Sequence, residues 1–184
     1  MNKAIFLDRD GVIVKNVGGE APLRVSDLEL IPETILVILE LKKRGYKIII
    51  VSNQPNYAQG MISEGTKTRL VKKFEKLLKE NSLDVDAIYY CFHHPQGVVK
   101  KYSKYCDCKK PKPGMILKAI KKYKIDPTKS YIAGDRATDI KAGNSAGVKT
   151  ILLDPENAEV NYLLEYQVNP DFVVKKITDI LNII

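Results

Sequence analysis

Six short apolar runs, at residues 4–7, 47–51, 87–90, 130–133, 150–153 and 172–174, constrain the fold more than any other feature, because they are continuous rather than alternating. A strand with one wet face alternates polar and apolar side chains. AIFL at 4–7 and IIIV at 48–51 do not, so both of their faces must be covered. Helices are the natural cover, and the sequence places them between the runs. PETILVILELKKRG, from 32 to 45, carries Pro32 where a first helical turn tolerates it, directs Ile35, Leu36, Ile38, Leu39 and Leu41 toward a core, and stops at Gly45. A second helix over 63–80 sets Leu70, Val71, Phe74, Leu77 and Leu78 at helical spacing and leaves its lysines on the wet face. Further helices are expected over 114–123, 138–145, 159–166 and from 176 onward. The result is an α/β fold, a Rossmann-like doubly wound parallel sheet whose ligand crevice lies beyond the carboxyl ends of its strands.

A chain of 184 residues with 45% hydrophobic and 28% charged residues can close one core, so a single domain over 1–184 is expected. The N-terminal apolar stretch is only four residues long, and no run could span a bilayer. A cytoplasmic protein without a membrane partner is the expectation. The net charge of +8 is uneven: residues 100–124 hold ten lysines against one acid, Asp107, a local +9. Such a cluster suits a nucleic-acid face, an anionic small substrate or a solvated surface, and composition alone does not choose among them.

Chemistry-bearing residues follow the strands. Asp8 and Asp10 come after the first run, Ser52 and Asn53 after the second, Gly134 and Asp135 after the fourth, and Lys110 after a cysteine-bearing segment. In a parallel sheet these positions converge on one crevice. Aspartates one residue apart also occur in plain turns, where they cap backbone amides, but the ordered set of carboxylates, hydroxyl and ammonium outweighs that reading. Clustered carboxylates repel one another, and an oxygen-only ligand set that keeps them ionised calls for a hard cation such as Mg2+.

The signatures DRDGV at 8–12, Ser52 in IIIVSN, Lys110, and GDRATD at 134–139 resemble the haloacid dehalogenase superfamily of phosphotransferases, over about residues 4–150. The resemblance implies that Asp8 attacks phosphorus to form an aspartyl-phosphate and that Asp10 shuttles protons. Magnesium would be held by Asp8, Asp135 and the main-chain carbonyl of Asp10. Ser52 and Lys110 would hold phosphoryl oxygens, with Asn53, Gln54, Lys109 and Arg136 as further substrate-binding residues. Asp139 is read as structural, a helix-start residue rather than a ligand.

The three cysteines have their own pattern. Cys91 and His93 lie two apart, as do Cys106 and Cys108, so each pair can project to one side of an extended chain. A Cys3His set suits structural Zn2+ and would clamp the long segment 91–113, which has no clear helix or strand. His94, facing the other way, is the weaker candidate, and unligated cysteines beside a solvent-facing histidine are the plainer alternative. CFHHPQG followed by CDCKKPKPGM resembles the D-glycero-D-manno-heptose 1,7-bisphosphate 7-phosphatases and the related histidinol-phosphate phosphatases, which are capless and shape their pocket with loops. That resemblance implies removal of the 7-phosphate of a heptose bisphosphate in bacterial nucleotide-heptose and surface-polysaccharide synthesis; a monomer is expected. Lys109 stands where that family usually has arginine. Pro55, Tyr57 and Gln59, and the stretch Asn16-Val17-Gly18-Gly19, also depart from it. A histidinol-phosphate phosphatase and a DNA 3'-phosphatase are the rival substrates, and a zinc-stabilised nucleic-acid-binding protein is the rival class. The chain lacks aromatic-basic stacking motifs; Tyr102, Tyr105 and Tyr123 interleave with lysines, but a binding module has no need of acidic motifs directly behind strands, whereas a phosphatase does.

Overall fold

The computed structural model describes residues 1–154 and 156–184. Its strands are β1 (Ala4–Leu7), β2 (Lys47–Asn53), β3 (Ala87–Cys91), β4 (Tyr131–Gly134), β5 (Lys149–Leu153) and β6 (Phe172–Val174). Its helices are α1 (Pro32–Lys43), α2 (Glu64–Glu80), α3 (Gly114–Tyr123), α4 (Ala137–Ala146) and α5 (Val160–Tyr166). The six strands form one sheet in the order β3-β2-β1-β4-β5-β6, and every neighbouring pair is parallel.

The continuous runs behave as their composition requires. All four residues of β1 are fully buried. Ile5 and Leu7 pack with Val37, Ile38 and Leu41 of α1 and Phe74 of α2 on one face. Ala4 and Phe6 pack with Met115, Ile116 and Ala119 of α3 and Ala142 of α4 on the other. β1 and β4 are neighbours at the point where strand order reverses, and the Asp8 amide donates to the Ala133 carbonyl at 3.0 Å. The carboxyl ends of these two strands therefore open side by side, which is where a doubly wound sheet offers a crevice.

Several elements differ from expectation. β2 continues through Ser52 and Asn53, which pair with Tyr90 and Cys91, so both residues are held by the sheet. In α1, Leu36 and Leu39 are exposed, while Thr34 is buried. Thr34 is tolerated there because its hydroxyl donates to the Val12 carbonyl at 2.6 Å, and this sets the helix phase on Thr34, Val37, Ile38 and Leu41. The expected C-terminal helix is a 3-10 segment, Ile177–Asn182, which buries Ile177 and Ile180 three residues apart.

The lysines of α2 are not all on its wet face. The Lys67 side chain is 12% exposed, and its Nζ lies 4.3, 5.0 and 5.3 Å from the ring centres of Tyr57, Tyr102 and Phe92. One ammonium thus joins α2, the loop after β2 and the segment after β3 through cation–π contacts. The same two segments meet again where the Val98 and Val99 amides donate to the Ala58 carbonyl. The segment after β3 contains only a 3-10 turn at Lys100–Tyr102, so these contacts and the cysteine cluster give it a fixed shape.

Candidate active site

The chain turns sharply as it leaves β1. The Ile13 and Val14 amides both donate to the Arg9 carbonyl, and the Gly11 amide donates to the Val14 carbonyl. Gly11 sits at φ +77°, and a Cβ there would run into the Asp135 carboxylate. This turn brings Asp8, Asp10 and the loop after β4 together.

Lys110 arrives from more than fifty residues beyond β2. Asn53 fixes it from both sides, its Oδ1 accepting from the Lys110 amide at 3.0 Å and its Nδ2 donating to the Lys110 carbonyl at 2.9 Å. The buried ammonium donates to the Val51 carbonyl at 2.8 Å and pairs with Asp8 Oδ1 at 2.8 Å and with Asp139. Burial pulls its proton affinity down, but Asp139 and Asp8 outweigh burial and hold it above the usual lysine range. Burial pushes Asp139 up to about 6, against the pull of Lys110. From the third position of α4, Asp139 also accepts from the amide of Arg136, the residue that caps the helix N-terminus.

Asp8, Asp135 and Asp139 place carboxylate oxygens within 4.8 Å of one another. Burial, then repulsion from Asp8 and Asp139, pushes Asp135 up to about 8. One ammonium does not balance three carboxylates, and an all-oxygen cluster with excess negative charge fits Mg2+. Asn16 donates to Asp135 Oδ2 at 3.3 Å.

Asp10 is held apart from that cluster. The buried Arg9 guanidinium forks onto its Oδ1 through Nε at 3.0 Å and a terminal nitrogen at 2.8 Å, and that nitrogen also reaches Gln54 Oε1 at 2.8 Å. The Gln54 amide donates to Asp10 Oδ2 and to Ser52 Oγ. Burial raises the proton affinity of Asp10, Arg9 lowers it, and Asp8 adds to the rise.

Of the residues singled out in the sequence, Asp8, Asp10, Asn53, Lys110, Asp135 and Arg136 line one cleft of about 350 Å³. Ser52 is fully buried and Gln54 nearly so; they stand behind that wall, bonded to each other. Lys109 lines an adjoining basin of about 470 Å³ with Lys104 and Lys112, and the two spaces share Asn53, Lys110, Thr138 and Tyr166. Arg136 donates to the Gly19 carbonyl at 2.9 Å, which ties the 16–19 stretch to the cleft. Sequence reasoning missed Arg9, Asn16, Tyr162 and Tyr166. Arg9 alone left a signal, an arginine directly after a buried strand, between two acids.

The cysteine pairs also meet. The Sγ atoms of Cys91, Cys106 and Cys108 lie 3.1 to 3.6 Å apart, and His93 Nδ1 is 3.3 and 3.7 Å from Cys108 and Cys91. Sulfurs on a tetrahedron around zinc, at about 2.3 Å from the metal, would stand about 3.8 Å apart, so the cluster is compatible with a zinc site. His94 accepts from the Gln96 amide and is not part of it.

A family model described as HAD-hydrolase-like matches residues 107–180. The chain is 44% identical over 153 residues to a D-glycero-β-D-manno-heptose-1,7-bisphosphate 7-phosphatase of Haemophilus influenzae, covering 83% of this chain and 82% of that enzyme. It is 41% identical over 150 residues to the enzyme of that name from Escherichia coli, covering 82% and 78%. The crystal structure of a D,D-heptose 1,7-bisphosphate phosphatase from B. bronchiseptica, complexed with magnesium and phosphate, superposes with a TM-score of 0.78 at 24% identity, covering 98% and 96% of the two chains. That likeness is one of fold.

The acid cluster generates a pH prediction. A carboxyl that binds its proton more tightly when folded stabilises the fold below its unfolded value, near 3.8, and loses that contribution as pH rises through its folded value, about 8 for Asp135. In magnesium-free buffer the thermal midpoint should fall between about pH 5 and about pH 8, and excess magnesium should reverse the fall by favouring the ionised carboxylates. Thermal unfolding with and without magnesium, omitting chelators that would strip the cysteine cluster, checks this. A midpoint that does not fall, or that falls equally with magnesium present, contradicts it.

Proposed function

Because the chain belongs to the haloacid dehalogenase-like hydrolases, and within them to the family of the D-glycero-β-D-manno-heptose-1,7-bisphosphate 7-phosphatases, we propose that this phosphatase removes the 7-phosphate of D-glycero-β-D-manno-heptose 1,7-bisphosphate. The observation that carries the reading is Lys110, a buried ammonium locked between Asp8 and Asp139 beside Asp135. A phosphate monoester repels nucleophiles, so its cleavage depends on neutralised charge and alignment, and this cluster supplies both.

Asp8 is the nucleophile. The Arg9 amide and the Lys110 ammonium both donate to Oδ1, at 2.7 and 2.8 Å, which leaves Oδ2 as the attacking atom. Oδ2 forms a bond to phosphorus while the bond from phosphorus to the sugar oxygen breaks, and Asp10 gives that oxygen a proton. Asp10 then takes a proton from water, the water oxygen bonds to phosphorus, and the acyl phosphate bond to Asp8 breaks to release inorganic phosphate. Arg9 and Gln54 keep Asp10 in place for both transfers. Asp8, Asp135 and the Asp10 main-chain carbonyl would hold Mg2+, which supplies charge neutralisation between the carboxylates and the phosphoryl group.

The remaining assignments divide between anchoring and selection. Ser52 and Gln54 act from behind the cleft wall, where Gln54 holds Asp10, while Lys110 lines the cleft and holds Asp8 for attack. Lys109 and Arg136 receive the second phosphate, Lys109 from the lysine-lined basin. Lysine keeps the charge of the family's arginine without its fork, so the second phosphate is gripped less directionally. Histidinol phosphate carries a cation in place of that group and suits a lysine basin less well. Cys91, His93, Cys106 and Cys108 would hold Zn2+ and so fix the segment that carries Lys109. No described helix is long and apolar enough to cross a membrane, and we read all 184 residues as one catalytic unit acting as a cytoplasmic monomer.

Three outcomes are expected. Phosphate release in magnesium should be fastest on the β anomer of heptose 1,7-bisphosphate, slower on the α anomer, and negligible on histidinol phosphate and on DNA bearing a 3'-phosphate. Asp8→Asn should reduce turnover on the order of 10⁴-fold or more. Preference for either rival substrate contradicts the assignment, and undiminished turnover by the variant removes Asp8 as the attacking group. Metal analysis of protein purified without chelators should find about one zinc per chain, lost in Cys106→Ala. Wild-type protein free of zinc contradicts the clamp.

A further inference from the structure

α5 contributes little to the core. None of its residues is fully buried, and Val160, Tyr162 and Leu164 are exposed. The chain leading into it is nevertheless fastened by two buried carboxylates. Asp154 accepts from the Ala158 amide at 2.8 Å and from the Glu159 amide at 3.3 Å. Glu159 in turn accepts from the Ala137 amide at 2.7 Å, at the first residue of α4, two residues from Asp135. Burying two acids to hold a short, mostly exposed helix against the loop that carries Asp135 indicates that its position matters to the cleft.

Tyr166 is the residue this fastening places. It packs on the cluster of Ile140, Leu152 and Val168, and it also lines the cleft. Among the residues shared by the cleft and the lysine basin, Asn53 and Lys110 are bound to each other and Thr138 is small, which leaves Tyr166 as the one aromatic surface at the junction. Tyr162 lines the cleft one helical turn earlier. A substrate that reaches from Asp8 to the lysine basin must pass this ring.

We propose that α5 is a specificity wall and that the Tyr166 ring is the surface on which the sugar of a bisphosphorylated substrate rests, between one phosphate at Asp8 and the other among the lysines. The inference rests on the sugar-bisphosphate reading. A pyranose offers a face of C–H groups that packs flat on an aromatic ring, and a ring held on its far side by packing loses little freedom when the substrate arrives.

Steady-state kinetics of wild type, Tyr166→Ala and Tyr166→Phe on heptose 1,7-bisphosphate and on acetyl phosphate test it. Acetyl phosphate has the reacting group without a sugar, so it reports on Asp8 and on correct folding. Tyr166→Ala should raise KM for the bisphosphate about tenfold or more, with kcat reduced less than about threefold, and should leave acetyl phosphate turnover within about twofold of wild type. Tyr166→Phe should keep the wild-type KM, because the ring and not the hydroxyl provides the surface. An unchanged bisphosphate KM in Tyr166→Ala, with wild type active on both substrates, overturns the wall alone. So does an equal loss on both substrates, which marks Tyr166 as structural. Wild type that cleaves acetyl phosphate but not the bisphosphate overturns the substrate reading and the wall with it.

Discussion

The buried Lys110 ammonium organises this site. Taking a charge out of water is unfavourable unless partners replace the lost hydration, and here Asp8, Asp139 and the Val51 carbonyl do so. These partners come from the ends of β1 and β2 and from the first turn of α4, so one side chain ties three separate parts of the sheet edge together. Removing the ammonium would leave Asp8, Asp135 and Asp139 in unrelieved repulsion. The backbone of Lys110 is held equally firmly by Asn53, the last residue of β2, which explains why that strand runs two residues further than its apolar stretch.

Around this centre the protein separates two carboxylates that are one residue apart in sequence. Asp8 is drawn to Lys110 and the acid cluster, whereas Asp10 is drawn to Arg9 and Gln54. In the proposed mechanism this split leaves one oxygen atom for attack and one carboxyl for proton transfer, and it depends on the turn at Gly11, where a side chain would strike Asp135. The walls of the cleft come from loops rather than a separate domain. Lys67 in its three-ring cage and the Ala58 carbonyl join the loop after β2 to the segment after β3, and the cysteine cluster folds that segment back on the end of β3. α5 closes the opposite side.

The sheet was legible because its central strands are buried on both faces, and an unbroken run such as AIFL admits few other readings. The residues that converge on the cleft were legible for a topological reason: in a parallel sheet, polar groups just after the strands share one edge. What escaped the sequence was decided by partners far away in the chain. Leu36 and Leu39 look like core residues, but the helix phase turns on a threonine whose hydroxyl finds the Val12 carbonyl. Lys67 reads as a wet-face lysine until three rings from two loops surround it. Ser52 and Gln54 have the residue types of phosphate binders, yet their hydrogen bonds run to each other and to Asp10. Tyr166 lies in a short helix with little amphipathic signal, and its place beside the cleft depends on Asp154 and Glu159.

In the proposed reading, side chains from distant strand ends converge to bind one divalent ion beside Asp8. Calorimetric titration of magnesium into wild type and Asp135→Ala tests it most directly. Wild type should bind one magnesium ion per chain and the variant none, with the zinc content of both unchanged. Equal magnesium binding by the two proteins, or none by wild type, would contradict it.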